Sequence, residues 1–352
     1  VLLKNDGDLL PLPRSGKRIA LIGPFVQGQR ELIGPWNVYG TDAEATDLLT
    51  GVRASVSDAS LITAVDGSGI TEPLPGGIEA AVAAANAADI VVLAVGEAQN
   101  MSGEAQSRTD IVVPPAQMAL AEAVAKTGKP IVVVLRHGRG LALHGAVLDA
   151  PAILAAWFLG SESGPATADI LFGVQSPSAR LPVSFPVESG QSPYYYAHKS
   201  TGRPNPGDTP EPYKAHFRET LNRARFPFGH GLTYGKIAYA GLEGGGTTLS
   251  AGGQIEVAAT ITNSGTREAE EVVQLYIRDV TASVTRPVRQ LKAFRKVRLA
   301  PGASQRVAFT LKRADLTFIG ADLKPTVEPG RFRVWIAPSA EAEGVSGEFT
   351  LA

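Results

Sequence analysis

The sequence predicts an α/β fold: a three-layer α/β/α sandwich on a parallel sheet, followed by an antiparallel β-sandwich. Three observations carry that prediction. In the first half, short uninterrupted apolar runs alternate with helical patterns, as strands covered on both faces by helices require. Toward the C-terminus the pattern switches to period two, with Gly/Pro turns and no helical stretch. The 352 residues, 44% of them hydrophobic, suffice for two buried cores, since a domain takes roughly 150 residues.

The elements follow in order. Residues 18–22 read as a strand ending at Gly23-Pro24, and 60–65 as a second ending at Asp66-Gly67. Residues 78–88 are Ala-rich and helical. Residues 90–95 form the most apolar strand of the chain and stop at Gly96. A helix over 116–125 ends near Thr127-Gly128. Strands follow over 131–135 and 152–158, then a short helix over 164–172. This α/β domain is expected to span 1–185. Residues 186–234 have no period and carry aromatic anchors, Tyr194-Tyr195-Tyr196 among them. They are expected to form an ordered connector, with 226–234 docked on the α/β domain. From 235 to 352, strands over 254–263, 272–277, 305–311 and 331–336 alternate in polarity. Without a Cys…Trp…Cys signature this sandwich is fibronectin-III-like and not of the antibody kind.

Composition excludes several function classes. Lys and Arg number 33 against 34 Asp and Glu, a net charge of −1 with no basic stripe, so no nucleic-acid partner is expected. The absence of cysteine excludes disulfides, thiolate zinc sites and Cys nucleophiles. No run reaches the ~18 apolar residues of a membrane span. The first residues, Val1 to Gly7, have no initiator Met and no signal-peptide pattern. The chain is therefore expected to be a processed product or part of a larger polypeptide. There is no P-loop, no G-x-G-x-x-G after a strand and no H-E-x-x-H. Gly160-Ser161-Glu162-Ser163-Gly164 has Glu where a nucleophile elbow needs Ser in the middle, which disfavours a stand-alone esterase. Asn100-Met101-Ser102 matches a glycosylation sequon, a pattern short enough to arise by chance. His137 and His144 flank a Gly-rich turn and read as loop or supporting histidines.

The informative segment is 96–110, the long polar loop that follows the most apolar strand. Ligands of parallel sheets sit at the carboxyl ends of strands. The loop carries two carboxylates, Glu97 one residue past the strand and Glu104 seven further on. A loop carboxylate can serve as a general acid. By spacing alone, two solvated loop residues are the favoured reading.

The motifs together resemble the C-terminal half of a family 3 glycoside hydrolase, a β-glucosidase of the bacterial periplasmic type. Val1-Leu2-Leu3-Lys4-Asn5-Asp6-Gly7 is similar to the segment that joins that family's barrel to its second domain. Ile19-Ala20-Leu21-Ile22-Gly23-Pro24 is similar to the first strand of that domain, and 96–110 to its acid/base loop. Gly173 with Pro177-Ser178-Ala179-Arg180-Leu181-Pro182 and Phe185-Pro186 resembles G-x-x-x-P-S-G-[KR]-L-P-x-x-F-P, with Ala179 in place of the usual Gly. Phe226-Pro227-Phe228-Gly229-His230-Gly231-Leu232-Thr233-Tyr234 resembles F-G-[YH]-G-L-[ST]-Y. Thr262-Asn263-Ser264-Gly265 and Val273-Gln274-Leu275-Tyr276 resemble the family's fibronectin-III-like domain.

The resemblance implies a retaining mechanism with two carboxylates. Glu104, with Arg108 four residues on, is similar to the family's E-G-x-D-R pattern, with Ser107 where Asp is usual. It makes Glu104 the general acid/base, with Glu97 as the alternative and Arg108 expected to order the loop or point away. The nucleophilic Asp belongs to a (β/α)8 barrel, in a Ser-Asp-Trp-like motif. None of Trp36, Trp157 and Trp335 follows an Asp, so the nucleophile is expected outside this chain. The resemblance implies no cofactor or metal. The expected partners are a β-glucoside or short β-glucan oligosaccharide and the barrel itself, with a homodimer left open. The expected location is periplasmic or secreted. The balance between glucosidase and xylosidase is not legible. The competing class is a non-catalytic sugar-binding or docking module, which would have no need of the Glu104 loop.

Overall fold

The computed structural model describes residues 1–352 except Pro206 and Ala251. Pro206 lies inside the 203–207 stretch of the connector, and that residue falls outside the described ones. The chain forms two compact units. The first holds Val1–Pro177 with Glu188–Ser192, the second Ser178–Val187 with Pro193–Ala352.

The first unit is built on a six-stranded sheet. Its strands are β1 (Leu2–Asn5), β2 (Ile19–Ile22), β3 (Ile62–Val65), β4 (Ile90–Gly96), β5 (Ile131–Arg136) and β6 (Ala152–Ala155), in the spatial order β1-β6-β5-β4-β2-β3. Five strands are parallel. The edge strand β1, which the sequence reading did not place, runs antiparallel to β6. Every residue of β4 and β5 is buried, which is why both read as unbroken apolar runs.

Five helices accompany the sheet: α1 (Leu48–Ser55), α2 (Gly77–Ala87), α3 (Pro115–Ala125), α4 (Gly145–Asp149) and α5 (Ser163–Leu171). The sequence reading had α2, α3 and α5 but neither α1 nor α4. α1 starts at Asp47, whose side chain accepts the Thr50 N–H at 2.8 Å, a conventional N-cap. It packs on α5 through glycine: a Cβ on Gly51 would lie 2.3 Å from the Gly164 carbonyl carbon.

The order of the strands locates the crevice. From β2 the chain moves outward to β3, then crosses back to place β4 on the other side of β2. The loops leaving β2 and β4 therefore diverge, and the gap between them is the topological switch point.

The second unit pairs two antiparallel sheets. Its strands are β7 (Ile237–Glu243), β8 (Thr248–Leu249), β9 (Gln254–Asn263), β10 (Ala269–Asp279), β11 (Gln290–Leu299), β12 (Ser304–Lys312), β13 (Phe318–Ile319), β14 (Pro325–Thr326), β15 (Gly330–Ala337) and β16 (Val345–Leu351). One sheet has the order β11-β10-β15-β16-β8, with β8 parallel to β16 at its edge, and the other β12-β9-β7. Val257, Ile261, Val273, Leu275, Phe309, Val334 and Phe349 fill the core between them.

β10 departs from strict alternation: Val273, Gln274, Leu275, Tyr276 and Ile277 are all buried. The connector covers its outer face. The Gln274 side-chain amide donates to the carbonyls of Gly229 (3.1 Å) and Pro338 (2.6 Å), and the Tyr276 hydroxyl donates to Gln274 Oε1 at 2.6 Å. Tyr196 stacks on Phe228, ring centroids 4.2 Å apart, at the edge of Tyr276. Residues 226–234 are thus ordered against β10 and against Leu181 and Phe185, which group with the second unit. Gly229 sits at φ +80°, where a Cβ would meet Gln274 Oε1 at 2.2 Å.

Arg180, in the Pro-Ser-Ala-Arg-Leu-Pro motif, pairs with Glu271 of β10 at 2.6 Å, and the Tyr239 hydroxyl donates to the same carboxylate at 2.7 Å. Both charged side chains are buried. Replacing one partner strands the other charge, so Arg180→Met is expected to cost about 3–5 kcal/mol. Urea unfolding monitored by circular dichroism checks this.

Candidate active site

The switch point holds an open cleft of about 360 Å³. The loop after β2 lines it with Gly34, Pro35, Trp36 and Asn37. The loop after β4 lines it with Gln99, Asn100, Ser102, Glu104 and Gln106. Trp36 is two-thirds exposed, presenting a flat apolar face beside carboxylate, amide and hydroxyl groups.

The structure separates the two candidate carboxylates sharply. Glu104 lies in the cleft wall, exposed, and among the described residues its carboxylate has no hydrogen bond or ion pair. Glu97 has no exposed surface at all. Its Oε1 is 2.8 Å from Arg108 Nη1 and 3.1 Å from Arg139 Nε, and its Oε2 accepts the Gly138 N–H at 3.2 Å. Arg108 also donates to the Val112 carbonyl at 3.0 Å. It therefore binds Glu97 and its own loop, and makes no ion pair with Glu104.

The base of the loop is fixed by the strand before it. Gly96 closes β4 at φ +136°, and a Cβ there would lie 1.8 Å from the Arg136 carbonyl oxygen, so only glycine fits. The buried side-chain amide of Gln117, on α3, accepts the Gly96 N–H at 2.7 Å and donates to the Gly96 carbonyl at 3.0 Å. Glu97 N–H then donates to the Arg136 carbonyl at 2.8 Å.

The end of β5 contributes two buried groups. Arg136 donates to the Glu31 carbonyl at 2.9 Å and lies over Phe25. Burial lowers its pKa to about 10, so it stays charged at neutral pH. His137 is fully buried, with its ring centroid 4.2 Å from that of Trp157. Its Nδ1–H donates to the Arg139 carbonyl at 2.8 Å. Burial pushes its pKa down to about 3, so it is a neutral structural imidazole. His144 is half-buried, with Nε2 3.6 Å from Glu188.

Sequence reasoning missed Glu31, Gln117, Arg136 and Arg139. A signal existed for Arg136 alone, a charge placed directly after five apolar strand residues. Among the described residues no cluster of His, Asp and Glu is placed to hold a metal ion, and no helix is long and apolar enough to cross a membrane.

The model of the glycosyl hydrolase family 3 C-terminal domain matches residues 1–234, and that of a fibronectin type III-like domain matches 271–340. The chain is 39% identical to a periplasmic beta-glucosidase of Salmonella typhimurium, over 100% of this chain and 48% of that protein. It is 35% identical to a beta-xylosidase of Formosa agariphila, over 97% of this chain and 47% of that protein. A beta-glucosidase from Listeria innocua, crystallised with glucose, superposes with a TM-score of 0.93 at 37% identity, over 100% of this chain and 48% of that one. The chain spans about half the length of the curated relatives it matches.

His137 makes stability depend on acid. Its folded pKa lies below the unfolded value of 6.5, so its contribution is complete above 6.5 and is lost as pH falls toward about 3. Urea unfolding between about pH 7 and pH 4 is expected to show a steeper loss for the native chain than for His137→Gln.

Proposed function

We propose, since the chain belongs to glycoside hydrolase family 3, that it is the acid/base-bearing part of a retaining β-glucosidase acting on terminal non-reducing β-D-glucosyl residues. The observation that carries this reading is the contrast between the two carboxylates: Glu104 faces the cleft with its oxygens free, while both Glu97 oxygens are taken up by Arg108, Arg139 and Gly138. A residue that gives and takes a proton must reach the glycosidic oxygen. Glu104 can do so, and Glu97 cannot without breaking a buried ion cluster.

In this mechanism a nucleophilic Asp on a (β/α)8 barrel outside the chain attacks the anomeric carbon. Glu104 gives its proton to the departing oxygen. It then removes a proton from the water that hydrolyses the glycosyl-enzyme. The two carboxyl groups are expected about 5–5.5 Å apart in the assembled site. Trp36 supplies an apolar face against which a sugar ring can rest beside Glu104. We place the assembled enzyme in the periplasm or outside the cell, by analogy with the Salmonella relative. A non-catalytic docking module would have no use for a free carboxylate held in a cleft at the switch point.

With one of the two carboxylates supplied by another domain, the purified chain is expected to show no turnover of an aryl β-glucoside. Robust hydrolysis by material free of any barrel would sink the split-site reading.

In the barrel-containing enzyme, Glu104→Ala is expected to slow alkyl glucosides by about 10²–10⁴-fold. Dinitrophenyl glucoside, whose leaving group needs little protonation, is expected to suffer far less. Added azide should speed deglycosylation and yield β-glucosyl azide, since a small anion attacks without a general base. Should Glu97→Ala show this pattern and Glu104→Ala not, the assignment passes to Glu97.

A further inference from the structure

We propose that Arg139, oriented by Glu97, is the positioning residue that holds Glu104 in its reactive place. The proposal rests on the assignment of Glu104 above and concerns how a solvent-facing loop keeps one carboxylate aimed.

Glu104 sits at the tip of a tight turn. Gly103 and Ala105 on either side have φ of +114° and +59°, and Gln106 N–H donates to the Gly103 carbonyl at 3.3 Å. An isolated turn of this kind on a long polar loop would sample many orientations. The structure supplies a brace. Arg139 Nη2 donates to the carbonyl of Met101 and, at 2.8 Å, to that of Gln106. One nitrogen, with its two hydrogens, thus joins the limb before Glu104 to the limb after it. Arg139 comes from the loop after β5, outside the turn it ties together.

Glu97 aims that brace. Its buried Oε1 lies 3.1 Å from Arg139 Nε, an ion pair without a directed hydrogen bond, and its Oε2 accepts the N–H of neighbouring Gly138 at 3.2 Å, tying backbone and guanidinium to one charge. Arg108, on the same Oε1, returns the far end of the loop to the cluster and donates to the Val112 carbonyl. A second tie lies nearer the strand, where Gln99 N–H donates to Glu31 at 2.5 Å. The tip and exit of the loop therefore meet at Glu97, while Glu31 holds its start. Arginine suits the task because its planar group serves an anion on one edge while donating to carbonyls with the other.

Two measurements test this, on Arg139→Met, Arg139→Lys and Glu97→Gln. In the chain as it stands, hydrogen exchange read by mass spectrometry is expected to speed up about tenfold or more across 98–110 in Arg139→Met, with β4 and β5 unchanged. In the barrel-containing enzyme, the ratio of alkyl to dinitrophenyl glucoside turnover is expected to fall about tenfold or more in Arg139→Met. Arg139→Lys, which keeps the charge but not the planar group, should recover only part of both, and Glu97→Gln should resemble Arg139→Met. A variant that merely lowered the folded fraction would slow both substrates equally and leave the ratio intact. Unchanged exchange over 98–110 overturns the brace. Faster exchange with an unchanged ratio, while Glu104→Ala still lowers that ratio, overturns the positioning role. A Glu104→Ala enzyme with an unaltered ratio overturns the acid/base assignment itself, and the catalytic half of this proposal with it, while the exchange result stands on its own.

Discussion

A carboxylate with no exposed surface, at the end of the longest fully buried strand of the first unit, is the constraint around which that unit is arranged. Removing an ion from water costs several kcal/mol even after relaxation, and only close partners offset it. Glu97 meets that requirement with Arg108, Arg139 and a backbone N–H. Arg108 belongs to the loop after β4 and Gly138 and Arg139 to the loop after β5, so satisfying one buried charge also fixes the geometry of two loops.

The strand order gives this cluster its location. Because β4 crosses back over β2, the loops that follow these strands part and leave a cleft between them. The strand ends beneath are rigid. Gly96 allows β5 to approach at a distance no side chain would tolerate, and Gln117 satisfies both the N–H and the carbonyl of that residue. A fixed floor under a braced loop permits one exposed carboxylate to be held in place while its neighbour stays out of reach.

The second unit buries charge by the same rule. Arg180, Glu271 and Tyr239 form a buried charged group, and Gln274 and Tyr276 use their polar atoms to hold the connector against β10. The motifs 177–182 and 226–234 are thus accounted for by packing and hydrogen bonding. Their arginine and glycine are required by a neighbouring strand.

Much of the architecture was legible because it is written in local periodicity. Continuous apolar runs fixed β4 and β5 as strands covered on both faces, and alternation fixed β9, β12 and β15 as half-covered ones. β1, α1 and α4 escaped because they are short, and β7, β11 and β16 because charged, polar or small residues interrupt their apolar alternation. β1 is held by pairing with β6, and α1 by its cap and its glycine contact with α5. The loop 96–110 was legible as a site, and its two carboxylates as candidates. The sequence by itself determined that glutamates stand at 97 and 104 on a loop after a buried strand. Only the tertiary structure decided which is free. That choice depends on Arg139, brought beside Glu97 by the pairing of β4 with β5, and on the burial that follows. Burial and ion pairing are properties of neighbours in space, and a single sequence read along its length carries no record of them.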